Sequence, residues 1–304
     1  MNKRWVAMLA ALVVALVVNA AWAGEISELK KKAESGDANA QNDLGVRYMN
    51  GKGVKKSPDK ALKWWKKAAK QGNAQAQFNL GTCYNSGEGV EQDFDEAVKW
   101  WQKAADQGDA QAQLAMGNSY MSGEGVKQDP AKAAQWWQKA AEQGVVDAIS
   151  NLSLCYKNGI GVEKDPAKAM EWRIKAAELG DAPAQFFLGL CYERGDGVEQ
   201  DIDEAVEWYT KAAEQGFADA QFLLGMCYLR GAGVVQNPSK AAEWWLKAAK
   251  QGNVRAQANL GVCYANGEGV DQDFAEARKW LEKAAAQGDA SAKNYLKQLE
   301  EFEE

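Results

Sequence analysis

The sequence predicts an all-α fold, an α-solenoid of seven helix-turn-helix repeats with a half-repeat cap at each end. Three observations carry this. A glycine recurs every 36 residues, at Gly36, Gly72, Gly108, Gly144, Gly180, Gly216, Gly252 and Gly288. A tyrosine holds the same register at Tyr48, Tyr84, Tyr120, Tyr156, Tyr192, Tyr228 and Tyr264. A G-x-G-V element follows each tyrosine, from Gly51-Lys52-Gly53-Val54 to Gly267-Glu268-Gly269-Val270. A period of about 20–50 residues kept along a chain is the mark of stacked units that bury their apolar faces only against one another.

Taken in order, the chain opens on a segment that does not repeat. Lys3 and Arg4 precede an unbroken apolar run from Val6 to Val18, and Ala21-Trp22-Ala23 supplies a small-x-small cleavage pattern. Residues 1–23 are therefore expected to be an export signal. The alternative, an uncleaved membrane anchor, needs an apolar core nearer 20 residues. No cysteine lies near the cut, which disfavours a lipid anchor, and removing the signal takes the formal charge from −6 to −8. An acidic exported chain is a poor partner for nucleic acid, whose binding rests on phosphate neutralisation. The expected location is the periplasm or the outside of a bacterial cell.

Residues 24–36 match the second half of a repeat and are expected to cap the array. Seven repeats follow at 37–72, 73–108, 109–144, 145–180, 181–216, 217–252 and 253–288, and 289–304 match a first helix before turning charged. Within a repeat, Asn73 or its counterpart is placed to cap a first helix that Gly87 or its counterpart ends. The G-x-G-V loop reverses the chain, and its valine is expected to plug the gap between the two helices of the repeat. The second helix opens where a capping residue precedes proline, at Ser57-Pro58, Asp129-Pro130, Asp165-Pro166 and Asn237-Pro238. Sixteen helices result. Ala97, Trp100, Trp101, Ala104 and Ala105 fall at helical intervals, and Gly81 is expected to let the two helices of its repeat touch. The fourth repeat has Ser153 in place of that glycine and Val145 in place of the cap, so it is expected to be the least regular.

The pattern A-x-x-x-L-G-x-x-Y-x-x-G-x-G-V, then D-x-x-x-A-x-x-W-x-x-K-A-A, resembles the Sel-one-like repeat family, a relative of the tetratricopeptide repeats. The resemblance covers residues 25–304. It implies a right-handed superhelix with the first helices lining its concave side, and a role as an adaptor in protein complexes. Some exported members carry two cysteines per repeat, form disulfides within it, and are described as penicillin-binding or β-lactamase-like. This sequence departs from them, with one cysteine position per repeat.

The chemistry the residues could support is narrow. The chain has no histidine, which removes Ser-His-Asp and Cys-His catalysis and histidine-bound zinc. Its cysteines, Cys83, Cys155, Cys191, Cys227 and Cys263, share one repeat position. Equivalent positions in stacked helices lie about 8–10 Å apart, beyond the ~7 Å reach of a disulfide, so buried thiols are expected and no metal or cofactor. S-x-x-K occurs at Ser57–Lys60 and Ser27–Lys30 without S-D-N or K-T-G beside it. Ser57 stands where other repeats have Asp93 or Asp129, and helix capping is the expected role.

A partner surface can be sought in what varies between repeats. In the first helix of the second repeat, positions 76, 77, 80, 81, 83 and 84 are constant or small in most repeats, while 75, 78, 79, 82, 85 and 86 vary. At about 100° per residue the two sets fall on opposite sides. The early repeats vary with Asn42, Asp43, Asn79, Thr82 and Asn118, interrupted by Val46, Phe78 and Leu114. The fifth and sixth offer Phe186, Phe187, Leu190, Phe222, Leu223, Met226 and Leu229, with Arg194 and Arg230 beyond. The expected function is an exported scaffold binding a protein or peptide there, with Asn79 and Asn118 bonding its backbone and the apolar residues anchoring it. Phe186 and Phe222 could instead pack between adjacent helices. The rival functions are a penicillin-interactive hydrolase, by resemblance alone, and an envelope component that contacts glycan through exposed tryptophans.

Overall fold

A computed structural model describes residues 24–303, so the expected export signal at 1–23 lies outside the described residues. The described residues form sixteen α-helices and no strand. Helix α1 spans 24–34. The first helices of the repeats are α2 (Ala38–Asn50), α4 (Ala74–Ser86), α6 (Ala110–Ser122), α8 (Val146–Asn158), α10 (Ala182–Arg194), α12 (Ala218–Arg230) and α14 (Val254–Asn266). The second helices are α3 (Pro58–Lys70), α5 (Phe94–Asp106), α7 (Pro130–Glu142), α9 (Pro166–Glu178), α11 (Ile202–Glu214), α13 (Pro238–Lys250) and α15 (Phe274–Ala286), and α16 (Ala290–Glu303) ends the chain.

Side-chain caps set most helix starts. Asp37, Asn73, Asp109, Asp181 and Asn253 each accept the backbone N–H three residues on, at 2.8–3.0 Å, satisfying a donor the helix leaves open. Asp93, Asp129, Asp165, Asp201, Asn237 and Asp273 do the same for second helices. Ser57 corrects the expectation: it occupies the cap position of α3, but its hydroxyl makes no capping bond. Gly51, Gly87, Gly123, Gly195, Gly231 and Gly267 end first helices at φ between 68° and 83°, a left-handed conformation that costs other residues about 1–2 kcal/mol. The loop is then tied back, as Asp93 N–H donates to the Tyr84 carbonyl (2.9 Å) and Gln92 Nε2 to the Asn85 carbonyl (2.7 Å).

The core lies between repeats. Ala61, Leu62, Trp65, Ala68 and Ala69 of α3 bury against Ala76, Leu80 and Cys83 of α4, and the same set recurs between α5 and α6, α11 and α12, and α13 and α14. The loop valines belong to this layer: Val90 packs on the α3–α4 core and Val234 on the α11–α12 core. They seal one repeat onto the preceding one, and not the gap inside their own repeat. The second glycine of the loop explains the closeness in several repeats, since a Cβ on Gly125 would sit 2.2 Å from the carbonyl oxygen of Phe94 in the preceding second helix.

Inside a repeat, a glycine on the first helix receives an aromatic ring from the second. A Cβ on Gly81 would lie 2.4 Å from Cδ1 of Trp101, so the indole rests directly on the helix backbone. Trp65, Trp137, Trp245 and Tyr209 meet Gly45, Gly117, Gly225 and Gly189 in the same way, and Leu281 meets Gly261. A buried glutamine holds three helices together. Gln77 Nε2 donates to the Ala69 carbonyl of α3 (3.1 Å), and its Oε1 accepts from Gln107 at the end of α5 (2.7 Å). Gln41, Gln113, Gln185, Gln221 and Gln257 repeat both bonds, so each buried amide is paired at both ends.

The fourth repeat breaks both devices. Ile149 and Leu179 replace the glutamine pair, and Ser153 and Arg173 replace the glycine and the ring. The chain divides into two compact units there, one comprising residues up to Ala148 with Gly159–Glu163, the other Ile149–Asn158 with Lys164 onward. The four shared cores described above each lie within one unit.

Candidate functional site

The first helices present the two faces their residue pattern predicts. On α4, Ala76, Gln77, Leu80, Gly81 and Cys83 are buried, whereas Gln75 and Thr82 are exposed. The varied positions of neighbouring first helices lie side by side, because Asn79 Nδ2 donates to Asn42 Oδ1 across one repeat (3.1 Å) and Asn259 Nδ2 reaches Met226 Sδ (3.3 Å).

In the first unit the asparagines proposed for a partner each make one bond within the molecule. Asn79 Nδ2 donates to Asn42, and Asn118 Oδ1 accepts the Trp137 indole N–H (3.0 Å). Both amides are engaged within the molecule.

In the second unit the apolar candidates separate by depth. Phe187 is 50% exposed, and Leu154 beside it on α8 is 51% exposed. Phe186 is half-buried in an aromatic cluster, its ring centroid 5.1 Å from Phe217, 5.3 Å from Phe187 and 6.1 Å from Tyr209. Leu190 and Leu223 are half-buried on the α11–α12 core, and Phe222, Met226 and Leu229 on the α13–α14 core. These side chains hold adjacent helices together with one flank and meet solvent with the other. Arg194 and Arg230 are exposed.

Two depressions of about 480 and 490 Å³ adjoin this surface and meet at Leu190 and Arg194. The first is lined by Lys157, Met170, Arg173 and Phe187, the second by Phe186, Phe222, Leu223 and Arg255. A smaller slot of about 120 Å³ opens beside Phe187, between Ser150, Ser153, Leu154 and Arg173. Arg173 is half-buried and donates to Cys191 Sγ at 3.3 Å. Sequence reasoning passed over Arg173 and Leu154. The signal was present in the fourth repeat, where an arginine stands at the ring position.

The remaining candidate groups are occupied or insulated. All five cysteines are free thiols, Cys227 half-buried and the others buried. Burial, and secondarily Glu88, pushes the Cys83 thiol up to about 11; burial does the same for Cys227, helped by Glu193, and for Cys263, helped by Glu268. Such thiols stay protonated and are poor nucleophiles. No group of three or more metal-ligating side chains occurs among the described residues. Lys60 does not serve Ser57, since its ammonium lies over the Tyr48 ring at 5.5 Å. The outer tryptophan of each pair also carries a lysine, as Lys103 over Trp100 (4.1 Å) and Lys247 over Trp244 (3.7 Å) show. That cation–π contact occupies one face of the ring. No helix among the described residues is long and apolar enough to cross a membrane.

A family model for the Sel1 repeat matches seven consecutive stretches, 38–73, 74–109, 110–145, 146–181, 182–217, 218–253 and 254–289. Among solved structures, the chain is similar to c5321, a protective antigen present in uropathogenic Escherichia coli strains displaying an SLR fold. Identity is 41% and the TM-score 0.82, over 89% of this chain and 58% of that one. It is also similar to a Sel1 repeat protein from Oxalobacter formigenes, at 41% identity and a TM-score of 0.71, over 91% of this chain and 81% of that one. The chain thus spans less than two thirds of the length of the Escherichia coli protein. A comparison with curated proteins finds no match.

Proposed function

Because this chain belongs to the Sel1 repeat family, whose repeats generally mediate protein–protein interaction, we propose that it is an exported scaffold holding a segment of a partner protein on the varied face of α8, α10 and α12. One observation carries the choice of surface. Phe187 and Leu154 leave half their area in water, beside depressions wide enough for side chains of a second chain. Large apolar groups flanked by arginine, as Phe187 is by Arg173 and Arg194, are what interaction hot spots are built from. Export is supported by Lys3 and Arg4, the apolar run after them, and the Ala21-Trp22-Ala23 cleavage pattern.

A photo-crosslinking residue placed at Phe187, in cells producing the full chain, tests the reading. A discrete adduct in the exported fraction is expected from position 187 and not from the exposed Glu207 of α11, with the recovered chain beginning at Gly24. Phe187→Asp with Arg194→Glu should lower capture of that partner by about tenfold or more without lowering the melting midpoint. Equal adducts from both positions, or undiminished capture by the double variant, would remove the surface.

A further inference from the structure

We propose that the fourth repeat is an anchor slot for a partner segment carrying a leucine- or phenylalanine-sized side chain flanked by acidic side chains. This rests on the reading that α8 and α10 receive a partner. The slot exists because two space-filling side chains are missing from it. The ring that rests on the first helix, Trp101, Trp137, Tyr209 or Trp245 elsewhere, is Arg173 here. The apolar residue at the position of Phe78, Leu114, Phe186 and Phe222 is Ser150. About 120 Å³ remains open, floored by Ala176 and Ala184, with Leu154 and Phe187 at its mouth.

The serine hydroxyls inside the slot are already bonded within the chain. Ser153 Oγ donates to the Ala169 carbonyl (2.7 Å) and Ser150 Oγ to Asp181 Oδ2 (3.1 Å). What the slot offers a visitor is therefore apolar surface, and burying a methylene-rich or phenyl side chain there needs no new hydrogen bond.

The charge around it selects what flanks that side chain. Arg173 lines both the slot, where Asp181 is the acid, and the 480 Å³ depression, where Lys157 and Arg194 are the other cations and Asp196 the acid. None of the three cations forms an ion pair among the described residues. Three cations against two carboxylates leave the site locally positive in a chain of net charge −6, and the Asp181 carboxylate is already engaged by the Ser150 hydroxyl and the Ala184 N–H. A guanidinium without a carboxylate, beside an apolar slot, is complementary to an acidic residue next to an apolar one.

Fluorescence polarisation on the purified full-length mature protein decides it, using N-acetylated, C-amidated, labelled peptides so that no terminal carboxylate contributes. A Glu-Phe-Glu core in a Gly-Ser context should bind about tenfold or more tightly than Gln-Phe-Gln or Glu-Ala-Glu cores at low salt. Ser153→Gly with Arg173→Trp rebuilds the glycine–indole pair of the other repeats, so it should fold, fill the slot and weaken binding by about tenfold or more. Arg173→Gln should erase the preference for Glu over Gln while keeping that for Phe over Ala. Equal affinity for the three peptides, or binding undiminished by the Ser153→Gly/Arg173→Trp variant, overturns the slot. A crosslinked adduct at position 187 that persists in this variant would discard the slot while leaving the wider surface standing.

Discussion

The glycine–ring pair is where a single methyl group decides the packing. Gly81 has no room for a Cβ, because Trp101 Cδ1 and the Ala97 carbonyl oxygen would stand 2.4 and 2.9 Å from it. Gly81→Ser should therefore destabilise the protein by about 1–3 kcal/mol, the usual cost of overpacking a filled core. The fourth repeat shows the alternative, a serine facing an arginine, with the serine hydroxyl bonded to the Ala169 carbonyl. Gly81→Ser combined with Trp101→Arg should cost less than the sum of the two single changes, by about 1 kcal/mol or more. Urea denaturation of the four-member cycle checks this; strict additivity would mean that glycine and ring are independent.

At the level of the element, capping differs between otherwise similar helices. Eleven of the thirteen helix starts with a described cap geometry have a side chain bonded to the first turn, and Ser57 and Phe217 do not. Phe217 gives up its cap to pack against Phe186 at 5.1 Å. Ser57 has no such exchange. Ser57→Asp should supply the missing acceptor and a negative charge at the helix start, raising stability by about 0.5–1 kcal/mol. An unchanged denaturation midpoint would show that α3 is already capped in solution. The same substitution bears on the S-x-x-K motif, which on this account needs nothing from the Ser57 hydroxyl.

For the whole molecule, the thiols tie stability to pH. Burial raises Cys83, Cys227 and Cys263 to about 11 from an ordinary 9.0. Above pH 9 the unfolded chain releases these protons while the folded one keeps them, so the unfolded state gains stability. Their contribution is complete below pH 9 and is lost as pH rises towards 11. Between those values the melting midpoint should fall less steeply in a Cys83→Ala/Cys227→Ala/Cys263→Ala variant than in the native chain, because lysine and tyrosine titration is common to both. Parallel curves would show that the thiols do not titrate with folding.

Much of the architecture was legible in the residues because the signals that carry it are local. A capping side chain, a glycine forced to positive φ and a proline at a helix start each act within one turn, so their 36-residue recurrence placed the helices and separated the constant face from the varied one. Only the tertiary structure decided where side chains far apart in sequence meet. Spacing within a repeat could not show that Val90 seals onto the preceding repeat, or that Gln77 bonds Gln107 and the Ala69 carbonyl together. It could not show that Asn79 and Asn118 are already engaged, or that Phe222, Met226 and Leu229 are half committed to the core. The Arg173 slot depended on the same thing. Repetition states which residues a stack reuses, but an open volume exists only where neighbouring helices are in place and the side chains that would fill it are absent.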